Sequence, residues 1–509
     1  MSVPAKQPTI LETIYAQRAK DVDMAKSTPG ATPADLAALL SMHVAPPLIP
    51  LVSRLKQSPS LPALMAEIKR ASPSKGAISL TANPAQQALT YALSGASVIS
   101  VLTEPTWFKG SLLDMRLARQ AVDALPNRPA ILRKEFILDE YQIAEARLHG
   151  ADTVLLIVAM LSQARLAELY AYSLSLGMEP LVEVNNASEM KIALDLGSKV
   201  IGVNNRNLHD FQVDMGTTSR LVEMVHEHDV ILCALSGISG PQDVQLYREQ
   251  GVRAVLIGEA LMRAPNTSDF IRELLQWSEG KESDKQRTSW VQATGITSAP
   301  QAVALGEAGV DMLGIIFDTT NPQHTTPHTA SQISAAVRES RFSRTLSQEI
   351  YPSAPTPKPW FTAQTDNLMS ASRRPLLVGI FTTHTLTEII HIVAHAQLDL
   401  VQLDGPSPLG WINHIQVPVV RTWDGTSGDI TCPGFHAFAR VKELQWAREL
   451  EEVPGWPMPF IVATRGGGDG IEDIVQGGKA WAIDLDIGAG EDELERVRTI
   501  VKTVKNPRV

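Results

Sequence analysis

Between residues 62 and 260, apolar runs rich in β-branched residues return roughly every 20 to 35 residues, with helix-like segments between them. They are "ALMAEIK", "SVISVLTE", "AILRKEF", "TVLLIVAM", "EPLVEVN", "KVIGVNN", "VILCALSG" and "AVLIGEA". Parallel strands covered on both faces read as continuous runs of this kind. Eight of them with intervening helices predict a closed (β/α)8 barrel of the α/β class. A doubly wound open sheet is the alternative; it usually has fewer strands and needs a Gly-rich first turn for a dinucleotide, which "EIKRASPSKG" is not.

A barrel carries its chemistry at the C-terminal ends of its strands, so the residues that close each run matter most. Here they are Glu67 and Lys69, Lys134 in "LRKEF", Glu183 in "LVEV", Asn204 and Arg206 in "VNNRN", and Ser236 in "LSG". The last run closes on Gly258 and Glu259, which open a short helix whose free N–H groups suit a phosphate. Strand alternation points Glu67 and Lys69 to one side, an expensive direction for charge if that side is enclosed. The plainer reading is that the strand stops one residue early and the charges sit in a solvated turn. Six polar rims in register favour a site.

At 509 residues the chain exceeds one hydrophobic core, and two domains are expected. With 44% apolar and 20% charged residues and no apolar run of membrane-spanning length, it reads as a soluble globular protein with no membrane partner. The N-terminal stretch is charged where a signal peptide needs an apolar centre, so a cytoplasmic location is expected. Cys233 and Cys432 are far apart, which excludes a disulfide framework and a cysteine-rich zinc site. A net charge of −10 argues against a nucleic-acid partner, while a small anion can still enter a local basic pocket.

The segments "EIKRASPSKG", "LRKEFILDEYQI", "EPLVEV", "IGVNNRNL" and "LSGI…VLIGEALMR" closely resemble indole-3-glycerol phosphate synthase of tryptophan biosynthesis, over residues 8 to 275. The resemblance implies a phosphate-binding barrel with an extra N-terminal helix, matched by "ILETIYAQRAKDV", and neither metal nor cofactor. It implies ring closure of 1-(2-carboxyphenylamino)-1-deoxyribulose 5-phosphate with loss of carbon dioxide and water. Lys134 matches the general acid, and Lys69 the substrate-binding group that also serves the later dehydration. Two clustered ammonium groups should lower each other's pKa. Glu183 matches the residue that steadies developing positive charge and removes the ring proton, with Glu67 holding the lysines. Asn204 and Arg206 match the grip on the anthranilate carboxylate, and Ser72 and Ser236 add polar contacts. Backbone N–H groups around Gly237, Gly258 and Glu259 would receive the phosphate, and Phe108 and Phe136 would wall the aromatic ring. Leu235 stands before the "SGI" serine where many members have glutamate.

Polar "QWSEGKESDKQRTS" (276–289) reads as a linker between residues 1–275 and a second barrel over 290–509. The second cycle runs through "MLGIIFD", "PLLVGIFTT", "LDLVQLDG", "VPVVRTW", "GFHAFA", "PFIVATRGG" and "AWAIDLDIG", with a Pro-, Ser- and Thr-rich insert near 341–374 expected to be disordered. It resembles phosphoribosylanthranilate isomerase, the preceding enzyme of the pathway, so the whole looks like a fused bifunctional type.

That family opens on Lys-x-Cys-Gly, whereas here Gln292 replaces the lysine and Thr294 the cysteine in "QATG". An aliphatic hydroxyl is a far poorer base than a thiol with a reference pKa of about 8.5. Gln323 stands for the family's arginine, Asp486 in "DLDIG" for a serine of the phosphate turn, and no aspartate acid can be matched after "GFHAFA". The second barrel is therefore expected to be catalytically silent, kept as a packing or assembly partner. A fully bifunctional enzyme using other residues is one alternative, and a non-catalytic phosphosugar-binding scaffold another. The expected partner is the small phosphorylated substrate, with association with other tryptophan-pathway enzymes a further expectation.

Overall fold

The computed structural model describes residues 9–58, 60–123, 125, 128–207, 212–276, 290–340, 342, 375–423, 438–441, 460–464, 482–487 and 492–505. The described residues form two compact units, one before residue 277 and one after residue 289. The expected linker and insert fall on residues 277–289, 341 and 343–374, outside the described residues.

Each of the eight apolar runs of the first unit becomes a strand: Ala63–Ile68, Val98–Leu102, Ala130–Lys134, Thr153–Ile157, Leu181–Val184, Val200–Asn204, Ile231–Leu235 and Ala254–Ile257. The first strand pairs in parallel with both the second and the last, placing Met65 beside Val98 and Ala63 beside Ala254. That double pairing closes the barrel and rules out the open sheet. Met65, Leu132, Leu155, Leu181, Ile231, Cys233 and Leu256 belong to one buried cluster in this barrel. Burial pushes the Cys233 thiol up to about 12, so it behaves as an inert apolar filler.

The N-terminal helix Ile10–Lys26 starts on a reciprocal cap, in which Thr9 accepts from the Glu12 backbone and Glu12 accepts from that of Thr9. Its Leu11 and Ile14 are buried in the same barrel cluster. This short amphipathic face explains why a charged segment packs instead of staying in solvent.

The second unit repeats the plan with strands Trp290–Thr294, Met312–Ile316, Leu376–Phe381, Leu400–Leu403, Val419–Trp423, Phe438–Val441, Phe460–Thr464 and Ala482–Asp486. It too closes, Trp290 lying beside Ala482. Trp290–Thr294 was not among the expected runs, and the strand at "GFHAFA", described over Phe438–Val441, continues past that run through Arg440 and Val441. A charged residue ends an apolar run on paper, but Arg440 is paired inside the barrel with Asp484.

Both barrels use one device at the strand starts. Asp152, Asp311 and Asp399 each precede a strand and accept the N–H of the second residue of the strand before it, from Ile131 at 2.8 Å, Val291 at 2.9 Å and Leu377 at 2.8 Å. These bonds fix strand neighbours at the end opposite the strand C-termini, the stability face of such a barrel.

Candidate active site

A cavity of about 320 Å³ opens at the C-terminal ends of the first barrel's strands. All the residues singled out from this half of the sequence line it: Glu67, Lys69, Ser72, Phe108, Lys134, Phe136, Glu183, Asn204, Arg206, Ser236, Gly237, Gly258 and Glu259. The strand does end at Ile68, one residue before Lys69, yet the two charges are not a solvated turn. Glu67 is 3% exposed, and its carboxylate receives Lys69 Nζ at 2.7 Å on one oxygen and Lys134 Nζ at 3.7 Å on the other. Burial alone would push Glu67 up; the two ammonium groups overcome it and hold the carboxyl below its ordinary range. The lysines thus share a counter-ion, which offsets the mutual repulsion expected of two clustered ammonium groups.

Glu183, at the end of its strand, is also buried, and there burial wins. Its pKa is raised by desolvation, with Glu67 and Glu189 adding to the rise and Lys134 and the Asn204 bond opposing it. Oε1 accepts from Asn204 Nδ2 at 2.8 Å, while Oε2 has no hydrogen-bond partner among the described residues. Asn204 uses its other end as well, since Oδ1 accepts the Arg206 N–H at 2.9 Å. The Arg206 guanidinium reaches Ser74 Oγ at 3.2 Å, bridging two rim loops.

Backbone geometry shapes the opposite wall. Ser236 and Gly237 both take positive φ, +67° and +82°, so this turn keeps its main chain close to the cavity. A side chain at Gly258 would collide with the Glu67 carboxylate and come within 3.1 Å of Lys69 Nζ, so glycine after the last strand lets the ion pair keep its place. Glu259 is neutralised by Arg263, whose Nε lies 3.1 Å from its carboxylate. Ser72 Oγ accepts from the Lys75 N–H within the first rim loop. Phe108 and Phe136 stand 6.1 Å apart, tilted by 44°. Phe108 is held by the buried Glu104, which accepts its N–H at 2.9 Å and those of Thr106 and Trp107 at 2.7 Å.

Residue-by-residue reading missed Ser74, Glu135, Ser239 and Arg263 in the lining. Arg263 was legible, because it follows Glu259 by four positions in a helix and so shares its face. Glu135 was not, because alternation along the strand predicts the outward side for a neighbour of Lys134.

The second barrel interior is polar in a different way. Gln292 Nε2 donates to Thr294 Oγ1 and to Gln402 Oε1, both at 3.1 Å, and Gln402 Nε2 donates to Asp404 Oδ1 at 2.9 Å. Thr422 also donates to Asp404. Arg440 joins Asp404, at 4.0 Å, to Asp484, at 2.6 Å, and Asp484 accepts from Thr294 at 2.6 Å, which completes a ring of side chains. Asp404, Asp484 and Arg440 escaped sequence reading; they are ionisable groups inside a barrel expected to have none suited to proton transfer. Gln323 donates to the Ile487 carbonyl. Asp486 ends the last strand exposed, its pKa raised by partial burial and by Asp484.

Comparison with known proteins agrees with this division. The family described as indole-3-glycerol phosphate synthase matches residues 11–274. The family described as N-(5'phosphoribosyl)anthranilate (PRA) isomerase matches residues 343–429. The multifunctional tryptophan biosynthesis protein of Phanerodontia chrysosporium is 53% identical over 563 residues, covering 99% of this chain and 71% of that protein. Its namesake in Schizosaccharomyces pombe is 47% identical over 518 residues, covering 98% of this chain and 66% of that protein. An indole-3-glycerol phosphate synthase of Roseiflexus sp. is 49% identical over 215 residues, covering 42% of this chain and 80% of that one.

Proposed function

This chain belongs to the indole-3-glycerol phosphate synthase family, in the form fused to a phosphoribosylanthranilate isomerase domain, and from that premise we propose how its residues divide the work. The first barrel is an indole-3-glycerol phosphate synthase, a carboxy-lyase of tryptophan biosynthesis acting on a phosphorylated small molecule. The observation that carries the residue assignment is one cavity in which two ammonium groups, joined by Glu67, share the space with a carboxylate that keeps one oxygen unbonded.

In this reading Lys134 donates a proton to the substrate ketone as the aromatic carbon attacks it. Loss of carbon dioxide follows, and Lys69 assists the departure of water while binding the anionic substrate. Glu183 Oε2 takes the ring proton as the indole becomes aromatic. Glu67 fixes the spacing of both lysines. Asn204 positions Glu183 and the Arg206 backbone and keeps one amide hydrogen for the substrate carboxylate, whose main grip falls to the Arg206 guanidinium. Phe108 and Phe136 bracket the ring, Ser72 and Ser236 supply polar contacts, and the N–H groups around Gly237, Gly258 and Glu259 receive the phosphate.

We further propose that the domain boundaries follow residues 1–275, 276–289 and 290–509, and that the second barrel does not isomerise phosphoribosylanthranilate. Both Asp484 oxygens are bonded, so this carboxylate is poorly placed to serve as a base. The isomerase family match and the Thr294–Asp484 contact favour the bifunctional reading, since a hydroxyl beside a carboxylate resembles a nucleophile–base pair. The cytoplasm and association with other enzymes of the pathway complete the proposal; among the described residues no helix is long and apolar enough to cross a membrane.

Purified protein supplied with the carboxyphenylamino-deoxyribulose phosphate should produce indole fluorescence, whereas phosphoribosylanthranilate should persist until an isomerase is added. Absence of the first product rejects the residue assignment. Enzyme-like consumption of the second compound restores the bifunctional reading.

A further inference from the structure

A second cavity, of about 190 Å³, lies on the other side of Glu183. Glu183 and Ile157 line both cavities, so these residues stand in the wall between them. The remaining lining is Ala159, Val184, Asn185, Asn186, Glu189 and Asn207. Among the described residues this lining contains no lysine or arginine, and its other ionisable group is the carboxyl of Glu189, so it is unsuited to a phosphate or carboxylate of the substrate. Three amides and a carboxyl around a space of this size suit water, which needs roughly 10–15 Å³ of such space and two to four polar partners. Asn186 and Ala159 are exposed, so the cavity reaches the surface.

Glu189 is fixed in this lining. One of its oxygens accepts the Asn185 N–H and the other accepts from Asn186 Nδ2, each at 2.7 Å. Glu183 in turn has one bonded oxygen and one unbonded oxygen, both inside the protein. With substrate filling the larger cavity, a proton taken up on that side has no wet way back. The charged groups acting on Glu183 are Lys134 and Glu67 from the substrate side and Glu189 from the far side, and the last draws a positive charge outward.

We propose that this second cavity is a water-filled exit through which the proton removed by Glu183 reaches solvent, with Glu189 as a positioning residue that holds and polarises the water. The inference rests on Glu183 being the base of the proposed reaction. The carboxylate takes one proton from the new ring, passes it to water in the cavity and returns to its charged form as that proton joins bulk solvent. Lys134 and Lys69, which give up protons in the same turnover, are recharged from solvent once product has left the larger cavity.

Ala159→Phe narrows the mouth of this cavity without touching the larger one. It should lower kcat by about fivefold or more, leave KM within about twofold, and raise the solvent deuterium isotope effect on kcat. Glu189→Gln should lower kcat by about threefold and move the acid limb of its pH profile to lower pH, because one charge that disfavours ionised Glu183 is gone. Unchanged kcat and isotope effect in both variants would overturn the exit, as would a raised KM at constant kcat, which would make the cavity a substrate subsite. Should Ala159→Phe fail to fold by thermal melting, Glu189→Gln decides in its place. Wild-type protein without synthase activity would instead reject the proposed role of Glu183, a distinguishable failure.

Discussion

In the first barrel Glu183 enters the interior with one oxygen bonded to Asn204 and the other unbonded, whereas in the second Asp484 has one oxygen taken by Thr294 and one by Arg440, each at 2.6 Å. The frames are alike, with eight parallel strands each and the same aspartate-to-backbone bonds at the strand starts. What differs is where the polar capacity goes. The first barrel leaves donors and an acceptor facing a cavity of about 320 Å³. In the second they bond one another around the barrel, and Gln292 Oε1 is left without a hydrogen-bond partner among the described residues. A reactive site needs groups whose bonding is completed by substrate, and the ring leaves this reserve at an amide oxygen, which is no proton acceptor, instead of at a carboxylate.

The comparison breaks most readily at Lys134. Lys134→Ala should cost ~10² to 10⁴ in synthase kcat/KM, the usual contribution of a positioned acid; an unaltered rate in the indole fluorescence assay would remove the asymmetry. Arg440→Met tests the other side. It strands two aspartates in the second barrel and should destabilise that barrel by about 3–5 kcal/mol in urea unfolding while synthase turnover persists. Stability close to wild type would mean that the ring is not a structural core.

Asn204→Ala should come next, with kcat reduced by roughly tenfold, near 1.4 kcal/mol of lost positioning, and a smaller change in KM. A pure KM effect would return Asn204 to the substrate carboxylate. The smallest signature is in pH. Glu183 acts as a base only when charged and its pKa is raised, so the acid limb of synthase kcat should lie above the ordinary carboxylate range. Glu67 has the opposite sign: its depressed pKa contributes stability above the unfolded carboxyl value, lost only as pH falls through the lower folded value. A midpoint of acid unfolding unchanged in Glu67→Gln would contradict that pairing.

The rim residues of the first barrel were legible because each closes a run of apolar residues, and a barrel gathers all such ends on one face. Their bonding was not. Glu67 could be read as a spacer for two lysines, but no pattern announced that a side chain at Gly258 would press on its carboxylate. The second cavity was equally hidden, since Asn186 and Glu189 serve as the cap and first turn of a helix and no motif marks them. In the second barrel the replacements Gln292 and Thr294 could be seen in four letters, whereas Arg440 opened a stretch that matched no motif of the family.

Period and punctuation along the chain were enough to predict the eight strands of the first barrel, seven of the second and which strand ends carry charge, because burial on both faces leaves a continuous apolar run, while Trp290–Thr294 was read only as a motif. Whether those charges face a cavity or one another was decided only in three dimensions. Pairing distances and the volume left between side chains arise when strands remote in sequence close into one cylinder, so neighbouring letters contain no record of them.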